Sequence, residues 1–203
     1  MLDVVVANSG DNSVIVLLGN GANDTSGQKN FSTGANPQSV AVGDFNFDGN
    51  LDVVVANFDD NTVTVLLGNG ENDAIGQKTF STGRNPRSVA VGDFNRDNML
   101  DVVVANSGDN SVTVLLGNGL NDTSGQKNFS TGANPQSVAV GDFNFDGNLD
   151  AVVVNYNSDT VTVLIGNGRD SVIEYQTYST GKDYDHNQQR LSLSVYESNT
   201  ASF

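Results

Sequence analysis

The chain is expected to be all-β, a β-propeller of four-stranded blades on a 49-residue repeat, with about four blades present. Three features of its 203 residues carry that expectation. The period is fixed, valine-rich segments alternate like strands, and no segment shows helical periodicity. Both a complete four-blade ring and a fragment of a larger propeller fit the length.

The period is read from matched residues. Asp3, Asp52, Asp101 and Asp150 stand 49 residues apart, as do Gly34, Gly83, Gly132 and Gly181. Segments 1–50 and 99–148 differ only at Ile15/Thr113 and Ala22/Leu120, so a 98-residue block of two units has been duplicated. On this frame residues 1–34 are the remainder of a blade and 39–83, 88–132 and 137–181 are blades. Residues 182–203 form a divergent tail.

Within the unit that starts at Ser39, the first strand is Ser39–Val42. Its small Ala41 and Gly43 suit a crowded inner position. The second, Leu51–Ala56, carries consecutive valines, as expected of a strand buried on both faces. The turn Asn57-Phe58-Asp59-Asp60 follows. Thr62–Leu67 then alternates β-branched and apolar residues as a third strand, closed by Gly68-Asn69-Gly70. A weaker fourth strand lies around Lys78–Thr82, before the turn Gly83-Arg84-Asn85-Pro86. The absence of tryptophan excludes the WD40 subtype, and the absence of a Gly-Gly doublet argues against kelch.

Between the first two strands lies Asp44-Phe45-Asn46-Phe47-Asp48-Gly49-Asn50-Leu51-Asp52, an oxygen-rich loop with the spacing of a hard-cation site. Calcium takes six to eight oxygen ligands at about 2.3–2.6 Å, and a short loop supplies them only if alternate side chains turn inward. Asp44, Asn46, Asp48, the Asn50 carbonyl and Asp52 are the expected ligands, with Asp52 bidentate and Gly49 taking the positive-φ turn. The frame recurs at Asp93, Asn95, Asp97, Met99 (carbonyl) and Asp101. It recurs again at Asp142, Asn144, Asp146, Asn148 (carbonyl) and Asp150. About three Ca2+ sites are therefore expected. Asn98 replaces the glycine of the second loop, and asparagine tolerates the left-handed region best after glycine. With Asn at the third position throughout, each loop carries three carboxylates, which favours moderate affinity. An EF-hand is excluded, because loop position 12 is Val55, Val104 or Val153 and the flanks read as strands. Turn chemistry alone also populates loops with Asp, Asn and Gly, but three copies in register favour the site.

Composition narrows the function. Net charge is −15 with only three glutamates, and nine aspartates sit in the three loops, so three divalent cations would bring the charge to about −9. No basic cluster is present to neutralise phosphates, which argues against nucleic acid. No apolar run approaches the roughly 20 residues of a membrane span. There is no cysteine, and the single histidine, His186, lies in the tail, where a solvated role is expected of it. Nucleophilic catalysis therefore lacks its usual parts. Paired carboxylates for glycoside hydrolysis are conceivable, but the well-placed aspartates belong to the loops.

The segments Ser39–Asn57 and Val63–Gly70, with their two later copies, resemble FG-GAP/VCBS-type repeats, the blades of integrin-α-like propellers. The resemblance covers roughly residues 1–181. The Phe-Gly half of the family name is absent, and Gly34-Ala35-Asn36-Pro37 only echoes the other half. The resemblance implies calcium in the loop between the first two strands and a protein partner. A non-catalytic module for protein binding or adhesion at the cell surface is the expected function. Its ligand surface would be loops such as Asn57–Asn61 and Gly68–Gln77. A lectin with repeated glycan pockets and a scaffold fragment without independent function are the alternatives.

The ends depart from the repeat. Met1-Leu2-Asp3 aligns with Met99-Leu100-Asp101, which makes Asp3 a ninth-position ligand and suggests a truncated N-terminus without a signal peptide. A further step from Asp142 falls on Leu191, not on aspartate. The alternating Leu191–Tyr196 could supply a closing strand for the first blade. Four Asn-x-Ser/Thr sequons, at Asn23, Asn30, Asn121 and Asn128, count weakly for secretion. An extracellular or cell-surface location is expected.

Overall fold

In the computed structural model, residues 3–18, 27–70, 74–118, 123–169 and 172–180 are described. The expected closing strand 191–196, His186, Leu191 and the sequons at Asn23 and Asn121 lie outside them. Among the described residues, fifteen strands form four antiparallel sheets in chain order. The first sheet holds β1 (Val4–Asn8), β2 (Ser13–Leu17) and β3 (Gln28–Ser32). The second holds β4 (Pro37–Gly43), β5 (Asp52–Asn57), β6 (Thr62–Gly68) and β7 (Ala74–Ser81). The third holds β8 (Pro86–Gly92), β9 (Asp101–Asn106), β10 (Ser111–Gly117) and β11 (Thr123–Ser130). The fourth holds β12 (Pro135–Gly141), β13 (Asp150–Asn155), β14 (Thr160–Gly166) and β15 (Val172–Ser179), with a 3-10 turn at Tyr156–Ser158. Each sheet is a meander of sequential hairpins, the pattern of a propeller blade. No strand pairing joins the first sheet to the last among the described residues.

Burial follows from the valine runs. Every residue of β5, β9 and β13 is buried, and successive side chains point to opposite faces. Val53 and Val55 therefore pack with Val14 of the first sheet, while Val54 and Ala56 pack with Val89, Val102, Val104 and Leu115 of the third. The same alternation sends Val103 and Ala105 towards Val138, Ala151, Val153 and Leu164 of the fourth. One strand serves two interfaces. Each fully buried valine contributes roughly 1.5–3 kcal/mol, so the cores lie between blades, not within them.

The inner strands β4, β8 and β12 adjoin one another, and their contacts explain the small residues expected there. A Cβ on Gly43 would stand 2.3 Å from Leu100 Cδ1, and one on Gly92 2.5 Å from Leu149 Cδ1. Leu100 and Leu149 thus seat on the glycine of the preceding blade. Ser39 Oγ accepts the Val89 amide and Ser88 Oγ the Val138 amide, both at 3.2 Å.

The linker between blades is held from both sides. Asn36 N donates to Asn12 Oδ1 at 2.8 Å and Ala35 N to Asp60 Oδ2 at 2.7 Å, so one turn joins the first and second sheets. Asn85 to Asn61 and Arg84 to Asp109 repeat the arrangement at the next junction, at 2.8 and 2.6 Å. The expected ligand loop Asn57–Asn61 is therefore largely committed to the fold. Asn57 is fully buried, donates to Thr62 and Thr64, and accepts the Gly34 amide.

That buried asparagine recurs as Asn106 and Asn155, which donate to Thr113 and Thr162 at 2.8 Å. In the first sheet Ile15 stands where those threonines stand, and Asn8 Nδ2 and Ser13 Oγ are buried without a partner. A buried donor left unpaired costs about 1–3 kcal/mol. Replacing Ile15→Thr should therefore couple to Asn8: Asn8→Ala should cost about 1 kcal/mol more in the Ile15→Thr background than in the native chain, measured by urea unfolding.

Candidate metal centre

Each acidic loop leaves an inner strand and enters the next strand of its blade, so β4–β5, β8–β9 and β12–β13 carry equivalent sites. The chain folds there through side chains that imitate backbone turns. Asp44 Oδ1 and Oδ2 accept the amides of Asp48 and Gly49 at 3.2 and 2.9 Å. Asn46 Oδ1 shares the Asp48 amide at 3.1 Å, and Asp48 Oδ1 accepts from Asn50 N at 2.8 Å. Asn46 Nδ2 then donates to Asp48 Oδ2 at 2.9 Å. The second and third loops repeat every one of these bonds.

Gly49 and Gly147 take positive φ of 84° and 82°, and Asn98 follows at 66°. The fourth loop position is left-handed as well, at Phe47, Arg96 and Phe145, with φ of 59°, 63° and 61°. Side-chain type gave no sign of this, since neither Phe nor Arg favours that region. Phe47 and Phe145 are 55% and 90% exposed, so burial does not offset their strain of about 1 kcal/mol or more.

Asp52, Asp101 and Asp150 are fully buried at the first position of their strands. Asp52 Oδ2 accepts from Phe45 N at 2.8 Å and Oδ1 from Gly68 N at 2.9 Å. Asp101 makes the same pair with Phe94 and Gly117, and Asp150 with Phe143 and Gly166. The carboxylate therefore ties the start of its loop to the end of the third strand. Space for that approach requires glycine. A Cβ on Gly68, Gly117 or Gly166 would lie 2.2, 2.2 or 2.0 Å from the carbonyl oxygen of Leu51, Leu100 or Leu149. Gly70 and Gly168, both at positive φ, come as close to Asn50 and Asn148.

Burial raises the carboxyls of Asp52 and Asp101, the latter to about 6. The two amides oppose that shift, and the neighbouring aspartates of each loop add to it. The exposed Asp48 is lowered by its bonds from Asn46 and Asn50. Asp146 is lowered by the Asn148 amide and Asn144, with Arg96 adding to the effect. Thus at Asp52 and Asp101 the two amides do not fully offset the burial of the charge.

All expected ligands of one loop fall within that loop and its buried aspartate, and they are oxygen donors only. That is the chemistry of a hard cation. Their convergence is incomplete: among the described residues no three carboxylate or imidazole groups gather closely enough to hold an ion. The exposed carboxylates are turned onto loop amides, and the buried one onto Phe45 and Gly68. The donor set therefore fits calcium. To hold it, the exposed carboxylates and Asp52 would have to turn part of their oxygens from these amides to the ion.

The sequence pattern of the FG-GAP-like repeat family matches residues 1–55, 44–104 and 94–153. No curated protein matches. Among solved structures, the chain is similar to a candidate 6-phosphogluconolactonase of Bacteroides uniformis. The TM-score is 0.57 at 16% identity, over 86% of this chain and 52% of that one. It is also similar to a functionally unknown protein of Desulfotomaculum acetoxidans, with a TM-score of 0.52 at 16% identity, over 84% of this chain and 54% of that one. The chain thus spans about half the length of both, and these likenesses show the fold alone. No helix among the described residues is long and apolar enough to cross a membrane.

Two outcomes test the centre. Gly117→Ala should destabilise the fold by about 2–3 kcal/mol in urea unfolding, whereas Gly125→Ala, with no atom within 4 Å of the new Cβ, should be tolerated. Asp101, raised when folded, binds its proton more tightly in the native state. Without divalent cations its contribution should make stability fall as pH rises from about 4 to about 6, then level off. Melting curves of the native chain and Asp101→Asn across that range should differ in slope there. Asp48 and Asp146 act only below about pH 4, where stability is lost as pH falls.

Proposed function

The chain belongs to the FG-GAP-like repeat family, and from that premise we propose a calcium-ordered, non-catalytic β-propeller module for protein binding or adhesion. The observation that carries the proposal is the threefold acidic loop. Three copies share one all-oxygen donor set, one amide network and one buried aspartate. In each, calcium would be held by Asp44, Asn46, Asp48, the Asn50 carbonyl and Asp52 or their counterparts. It would neutralise carboxylates that otherwise repel. An ion that binds the folded loops and not the unfolded chain adds its binding free energy to stability. Sites with three carboxylates would fill where calcium is abundant, which supports an extracellular reading. The evenness of the repeats supports a binding role, since an active site needs one blade to differ.

One observation favours glycan as the partner in place of protein. Phe47 and Phe145 present exposed rings at the tips of two loops, in backbone conformations that cost free energy to hold. Such rings can stack on the apolar face of a sugar, and two per chain suit multivalent binding.

Calcium titration by calorimetry, with melting in calcium and in EGTA, tests the first reading. About three sites and a gain in Tm of several degrees are expected. No binding heat and no shift would overturn it. A glycan array separates the partner classes: binding that is lost in Phe47→Ala/Phe145→Ala supports the lectin reading, and a silent array supports a protein ligand.

A further inference from the structure

Four of the differences between the repeat units meet at one junction. Against units 1–49 and 99–147, the middle unit carries Phe58 and Asp59 where the others have Ser and Gly. It carries Arg84 and Arg87 where they have Ala and Gln. The first pair lies in the β5–β6 turn and the second at the entry to β8. The fold brings them together: the Arg87 guanidinium lies over the Phe58 ring, 5.6 Å from its centroid, a cation–π distance. The turn that bears both arginines is fixed on two sides. Asn85 Nδ2 donates to the Phe58 carbonyl at 3.3 Å, and the carbonyls of Arg84 and Asn85 accept the amides of Gly108 and Ser107, both at 3.0 Å. At the neighbouring junctions Gln38 and Gln136, in the place of Arg87, donate to Asn36 and Asn134 at 2.6 Å instead. Within the turn 57–61, Asn57, Asp60 and Asn61 accept linker amides, while Phe58 is half-buried and Asp59 exposed.

Arg84, exposed, and Arg87, half-buried, place two positive charges on one turn of a chain whose net charge is −15. The carboxylates around them have other partners: Asp60 accepts the Ala35 amide and Asp109 the Arg84 amide. Among the described residues neither guanidinium is paired with a carboxylate. Asp59 offsets part of the charge. The acidic loops do not, because the six residues of β5 separate them from this turn. That is about 20 Å at roughly 3.3 Å per residue, well beyond the screening length of about 8 Å at physiological salt. We propose that Arg84 and Arg87, the latter held by Phe58, form the docking point for an acidic segment of a partner protein. Its carboxylates accept from the two guanidiniums, whose planar forks match carboxylate geometry. The ring fixes the guanidinium of Arg87 before binding, so less freedom is lost when the ligand arrives. The proposal rests on the reading of this chain as a protein-binding module, and not on calcium.

Titration of the whole isotope-labelled chain by NMR tests it. The probe is a short peptide carrying two adjacent glutamates, and its diglutamine version is the control. The diglutamate peptide should shift the signals of Phe58, Arg84 and Arg87 with a midpoint of about 1 mM, and the control should leave them unmoved. Arg87→Gln should weaken binding about two- to fivefold, and Arg84→Ala/Arg87→Gln about tenfold or more. Phe58→Ser keeps both charges and should still weaken binding about two- to fivefold, because the stack is lost. Each substitution installs the residue that the first and third units carry at that position, so it is compatible with the fold. No shift with the diglutamate peptide would overturn the site. Binding that survives the double variant would also overturn it, while leaving the protein-binding reading in place. Unchanged affinity in Phe58→Ser would overturn the part given to the ring. A sulfated glycan fragment that shifts the same signals at lower concentration than the peptide would overturn the protein partner, and the protein-binding reading with it.

Discussion

The structure depends on a buried aspartate that accepts two backbone amides at the start of the second strand of a blade. Burying an ionised carboxylate costs several kcal/mol unless it is paired, and Asp52, Asp101 and Asp150 are fully buried. Their partners come from opposite directions in sequence, one amide from the second position of the loop and one from the end of the third strand. The bond pair therefore fixes where the loop begins and where the third strand ends. It also forces glycine at 68, 117 and 166. Compensation is incomplete, since the Asp101 carboxyl is still raised to about 6.

Blade association follows from the same strands. Because β5 and β9 are buried on both faces, the second sheet packs against the first and third, and the third against the second and fourth. Val4 and Val6 of β1 are 54% and 39% exposed, while their counterparts Val53, Val55, Val102 and Val104 are buried. Leu51, whose later copies Leu100 and Leu149 seat on a preceding glycine, is 68% exposed.

Much of this was legible in the chain. Strands expected at 51–56 and 62–67 lie at Asp52–Asn57 and Thr62–Gly68, because β-branched alternation and glycine-bounded ends are local signals. The inner strand begins earlier than expected, at Pro37, and the outer strand at Ala74, because neighbouring strands extend the pairing there. The left-handed glycine of the loop was legible from its spacing, but the left-handed Phe47, Arg96 and Phe145 were not. The turn Asn57–Asn61 reads as a free ligand loop in sequence. Its partners, Gly34 and Ala35, lie some two dozen residues away, so nothing local announces them. The second oxygen of Asp52 was hidden for the same reason, its donor Gly68 being 16 residues on.

The central proposal is that the acidic loops bind a divalent cation once their carboxylates turn from the loop amides to the ion. The most direct test is a crystal structure grown in calcium, with anomalous data collected at a wavelength where calcium scatters. The account predicts three peaks, each ligated by the first, third, fifth and ninth side chains and the seventh carbonyl of its loop at about 2.3–2.6 Å. In that state Asn46 will have released Asp48. Loops that keep the Asn46–Asp48 bond at saturating calcium, with no peak beside Asp52, Asp101 or Asp150, would contradict it.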